Sequence, residues 1–117
     1  MEKGRGLSQF NNQLIYYIDK EVNSMDSTND ITVGQVVKSR AGRDKGNIFL
    51  VLSVVDDKHV LIVDGNLRKL DRPKKKKAKH LTVYNTVLPE LKYKLDNNMK
   101  INNAYIRKLL EPFNKSF

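Results

Sequence analysis

Between residues 31 and 84 the chain repeats one pattern: a short run rich in Val, Ile, Leu or Phe, then a turn signal. The runs fall at 31–38, 47–55, 59–63, 67–70 and 81–84. Asp56, Asp57 and Lys58 separate the second from the third, Asp64, Gly65 and Asn66 the third from the fourth, and Pro73 closes the fourth. β-Branched and aromatic residues fit a pleated surface, and Asp, Asn and Gly favour reversals of direction. Parallel strands need a crossover of about a dozen or more residues, usually a helix, and no such helix fits between these runs. The pattern therefore predicts antiparallel pairing, and five short strands joined by tight turns suggest a small antiparallel barrel. Phe49 is expected in its core.

The flanks read as helical. At 7–22, Leu7, Phe10, Leu14, Ile15, Ile18 and Val22 recur at helical spacing with Ser8 as a cap, and 23–30 has the polar composition of a linker. Lys20, Glu21 and Val22 are also encodable as AAG GAG GTN, a bacterial ribosome-binding sequence set ahead of Met25. Two readings stand: a native N-terminal helix, or an upstream extension of a reading frame whose protein starts at Met25. In the C-terminal part Pro89 suits a first helical position, and Leu88, Leu91 and Leu95 share a face. Asn102 is a cap, Ile101 and Ile106 stand in staple geometry, and Ile106, Leu109, Leu110 and Phe113 continue an apolar stripe. These helices are expected to cover one side of the barrel. With 117 residues, a single compact core is expected, organised as 1–30, 31–84 and 85–117.

Charge narrows the partners. The net charge is +9, and residues 31–80 carry 13 positive against five negative charges, net +8. Such a segment attracts polyanions by displacing condensed counterions, nucleic acid before anionic membrane. The 16 Lys and 12 Asn are also what an AT-rich genome would encode, but base composition does not explain the clustering. There is no cysteine, and the histidines are His59 and His80, too few for an ordinary zinc cluster. Asp56 and Asp57 read as turn residues rather than a catalytic pair. No phosphate-binding glycine loop, nucleophile elbow or zinc-protease motif is present, so the sequence does not read as an enzyme and implies no cofactor or small-molecule substrate. Without a long apolar stretch or a secretory pattern, the chain is expected to be cytoplasmic and not a membrane protein.

Residues 33–46, Val-Gly-Gln-Val-Val-Lys-Ser-Arg-Ala-Gly-Arg-Asp-Lys-Gly, resemble the KOW motif: a strand, a basic glycine-bearing loop and a second strand, here 47–55. The later block 63–81, from Val63 through the lysine run to Leu81, strengthens the likeness. Together the blocks are similar to the small KOW proteins grouped with the eukaryotic and archaeal large-subunit ribosomal proteins of the L14e type. The resemblance implies a mainly β fold with α, a small SH3-like (KOW) β-barrel with a helical C-terminal appendage, and RNA binding.

The residues agree with that implication. Gly42 and Gly46 can take positive φ and expose backbone N–H groups, ringed by Lys38, Arg40, Arg43 and Lys45. Alternatively the glycines only permit a hairpin. Asp44 is expected to pair with Arg43 or Lys45. Arg68, Arg72, Lys74, Lys75, Lys76, Lys77 and Lys79 form the second basic block, in which the lysine run 74–79 is read as a loop whose lysines attract phosphates without sequence discrimination. A solvated loop, a nuclear import signal and a lipid-binding patch compete for the same run, although the lipid reading lacks an apolar anchor. Tyr84 and Tyr93 are candidates for stacking on bases or for packing. The expected function is docking on structured RNA, foremost ribosomal RNA of the large subunit. The alternatives are a protein-interaction module of the transcription elongation machinery and a scaffold whose charge only keeps it soluble.

Overall fold

Val36 and Val37 are adjacent in sequence and both fully buried. Successive strand residues face opposite sides of a sheet, so both sides must be covered. The computed structural model describes residues 27–115; the helix expected at 7–22 and the start at Met25 lie outside them. The strands are β1 (Gln35–Ser39), β2 (Ile48–Val54), β3 (His59–Val63), β4 (Lys74–Lys77) and β5 (Leu81–Val87). They form one antiparallel sheet in the order β4-β3-β2-β1-β5. Val37 faces Phe49 across β1 and β2 and Val83 across β1 and β5, while Leu50 of β2 faces Val63 of β3.

The sheet does not close into the expected barrel. β4 pairs only with β3 and β5 only with β1, so both remain edges. A three-residue 3-10 turn, Ala78–His80, carries the chain directly from one edge to the other. The sheet must therefore curl until its edges approach at one corner, but such a turn rounds a corner instead of forming a hairpin ladder. The short, charged β4 suits an open edge, where lysines discourage pairing with another chain.

The fourth strand also lies elsewhere than expected. The run 67–70 is held in a turn because the Asp64 carboxylate accepts the backbone N–H groups of Asn66 and Arg68, at 2.9 and 2.8 Å. The N–H groups of Asp64 and Gly65 in turn donate to the Arg68 carbonyl. The strand that follows is the lysine run itself, read from sequence as a loop. Lysine has little strand preference of its own, but β3 offers Lys74 through Lys77 a continuous ladder opposite Ile62 through His59.

Two cores result. On one side of the sheet Val37, Phe49, Val51, Val60, Ile62, Ala78, Leu81 and Val83 pack with Ile31. On the other, Val36, Ile48, Leu50, Val63 and Tyr84 meet Leu91, Ile106, Leu110 and Phe113 from the helices α1 (Pro89–Asp96) and α2 (Asn103–Lys115). The helices thus cover one side of the sheet, as their apolar stripes predicted. Each fully buried Leu or Ile contributes about 1.5–3 kcal/mol relative to exposure, so this cover is a large part of the stability of so small a fold. Pro89 opens α1. The Asn102 side-chain oxygen accepts the Tyr105 N–H at 2.8 Å to cap α2, and Ile101 and Ile106 both join the second core. Phe49 and Tyr84 are core residues, whereas Tyr93 is exposed.

Candidate nucleic-acid interface

The basic loop between β1 and β2, residues 40–46, contains one 3-10 turn at Gly42–Asp44. Gly42 and Gly46 take φ of 77° and 90°, the left-handed region anticipated for both. The loop is closed from within. The Gly46 N–H donates to Ser39 O at 2.8 Å, Asn47 N–H to Asp44 O at 2.9 Å and Lys45 N–H to Gly42 O at 3.2 Å. Those three N–H groups are spent on shape, so the attraction for anions falls to the side chains around them. Arg40, Arg43 and Lys45 are exposed, and Lys38 is half-buried on β1.

Asp44 does not pair with its neighbours. It is buried, and its carboxylate meets the Arg68 guanidinium, with Nη2 at 2.9 Å and Nε at 3.0 Å. Arg43 and Lys45 make no ion pair among the described residues, which leaves their charges available. Arg68 is spent differently from the way its place in the second basic block suggested: it neutralises the loop's one acid and anchors the loop to the 64–68 turn.

The second block is split by the strand period. Lys76 lies on the side of Val60 and is buried, and its Nζ donates to the Ala41 carbonyl at 3.0 Å. Lys75 and Lys77 alternate with it and are exposed, and Lys74 is half-buried. With His59 and His80 the lysine strand lines a shallow groove. Lys79 and Arg72 are exposed on the adjoining turns. A further bond, from the Arg40 N–H to His80 O at 2.9 Å, ties the loop to the turn after the lysine strand. Two basic blocks separated by about thirty residues of sequence are thereby joined in space.

Beside this groove, Asp56 acts as the turn residue it was read to be. Its carboxylate accepts the N–H groups of Lys58 and His59, both at 2.8 Å, and faces His59 Nδ1 at 2.9 Å. The bond from the Lys58 backbone, then that from the His59 ring, hold its pKa below the ordinary carboxylate value. Among the described residues no cluster of three or more His, Asp or Glu is arranged to hold a metal ion. No helix among them is long and apolar enough to cross a membrane. The residue that sequence reasoning misplaced most is Leu67, expected within a strand but 58% exposed on a turn.

No family model matches the chain. A protein of Bacillus subtilis (strain 168), named "Putative ribosome-binding protein YbzG", is 30% identical over 73 residues, which cover 62% of this chain and 99% of the relative. The chain belongs to that protein's family.

Proposed function

We propose that this protein docks on structured RNA of the ribosome, in the cytoplasm, and that the RNA is ribosomal RNA of the large subunit. The observation that carries the reading is the junction of the two basic blocks through Lys76 with Ala41 and Arg40 with His80. A fold that only needed solubility would gain nothing from gathering like charges on one surface, because their repulsion opposes the compact state. The name of the Bacillus relative and the resemblance to KOW proteins of the L14e type point the same way. The mechanism is electrostatic docking without chemical catalysis: Arg40, Arg43, Lys45, Arg72, Lys75, Lys77 and Lys79 meet phosphates, while Arg68, Lys76 and the glycines hold the surface in shape.

Sucrose-gradient fractionation of cell extract tests the assignment. The protein should migrate with the large subunit at low salt and leave it as salt rises. Salt-resistant migration with RNA polymerase would instead select the elongation-machinery reading.

A further inference from the structure

Beside the phosphate-binding surface lies a groove of about 430 Å³ between the start of β2, the 64–68 turn and α2, lined by Asn47, Asn66, Leu67, Arg107 and Asn114 together with the acidic residues Asp64 and Glu111. Three features distinguish it from an accidental depression. The side-chain amides of Asn47, Asn66 and Asn114 make no hydrogen bond among the described residues, although all three line the same space. Leu67 is 58% exposed, yet the bonds from Asp64 to Asn66 and Arg68 hold it in a closed turn. Arg107, on the wall, is fixed by its Nη1 donating to Gly65 O at 2.7 Å. A second depression shares Asn66 and Leu67 and continues along Arg68, Lys69, Asp71 and Arg72.

A side-chain amide sets an N–H donor group beside a carbonyl acceptor in fixed geometry, which matches the edge of a nucleobase, and an exposed leucine on a closed turn is a wedge against a base face. Lys69 and Arg72, which continue past Leu67, suit the phosphates on either side of that base. Base edges are sequestered in a regular RNA duplex, so a site of this kind serves a nucleotide already out of the stack. We infer that the 64–68 turn, with Asn47 and Asn114, receives an unpaired base, so that the protein selects a bulged or looped RNA over a uniform duplex. The inference rests on the RNA reading above and adds the class of RNA element recognised.

The test uses the full chain with two blunt-ended, two-strand RNA duplexes, one carrying a single bulged adenosine and the other fully paired, with binding followed by fluorescence anisotropy. The bulged duplex should bind about tenfold more tightly, the scale of one stacked base. Leu67→Ser combined with Asn66→Ala should remove that preference while leaving affinity for the paired duplex and the melting temperature unchanged. Replacing the bulged adenosine with 2-aminopurine should give a fluorescence change on binding that the double variant loses. Equal affinity for the two duplexes, or a preference that survives the double variant, overturns the inference while salt-dependent binding leaves the RNA reading standing. No salt-dependent binding to either duplex overturns both.

Discussion

Arg68 places Nε at 3.0 Å and Nη2 at 2.9 Å from one carboxylate oxygen of Asp44, so a residue of the 64–68 turn neutralises the only acid of the basic loop. The Asp44 side chain is 5% exposed and that of Arg68 is 29% exposed, so the pair is asymmetric. Removing Arg68 strands a buried carboxylate, whereas removing Asp44 frees a cation that water still reaches. Arg68→Ala should therefore cost about 2 kcal/mol, more than Asp44→Asn. Urea melts of both single variants and the double variant check this: the double should cost less than the sum of the singles.

Lys76 separates architecture from affinity. Because its Nζ is bonded to Ala41, Lys76→Met should loosen the 40–46 loop and lower stability by about 1 kcal/mol, with little change in the salt dependence of RNA binding. Lys75→Ala with Lys77→Ala should do the reverse, reducing the slope of log K against log salt by up to about 2 while leaving the melt unaltered. Titrations at several salt concentrations distinguish the two. Equal slopes for the wild type and the Lys75/Lys77 variant would remove β4 from the interface.

The left-handed glycines differ in what surrounds them. At Gly46, φ is 90° and an added Cβ meets open space, so Gly46→Ala should cost only the backbone strain, about 1–2 kcal/mol. At Gly65, with φ of 77°, an added Cβ collides with the Asn103 carbonyl and presses on Arg107. Gly65→Ala should cost more than Gly46→Ala because α2 must shift, and it should also disturb the groove beside Leu67. Thermal melts rank the two.

Acid should act through Asp56. Its folded pKa lies below the ordinary 3.8 because the folded state hydrogen-bonds the carboxylate through Lys58 and His59. The stabilisation is present above the unfolded pKa and is lost as pH falls through the lower folded value, so it disappears below about pH 4. Asp56→Ala should lower stability at pH 7 and flatten its fall in the acid range. Urea midpoints between pH 7 and pH 3 provide the measurement.

Ending the chain after Val87 should expose Val36, Ile48, Leu50 and Val63, which α1 and α2 cover. The basic surface would survive in sequence, but the sheet should aggregate or melt without a cooperative transition, because a small domain cannot spare one of its two cores. Differential scanning calorimetry of the truncated chain against the full chain tests this.

The sequence alone determined the local elements whose causes are local. Turn residues at Asp56 to Lys58 and the β-branched runs on either side placed β2 and β3. Pro89 and the Asn102 cap placed the two helices, and the paired glycines announced a left-handed loop. It also determined that the charge is concentrated in 31–80, and the short intervals between runs required antiparallel neighbours. Tertiary structure decided what depends on partners distant in sequence. Asp64 captured the 67–70 run into a turn through two backbone bonds, overriding its strand-like composition, while the free ladder of β3 drew four lysines into a strand that their own propensity would not form. Asp44 chose Arg68 over the adjacent Arg43 and Lys45 because the fold buries it against the 64–68 turn. The alternation of β4 assigned Lys76 to structure and left Lys75 and Lys77 to solvent. A run of identical residues carries no periodic signal, so only the register against β3 could divide it.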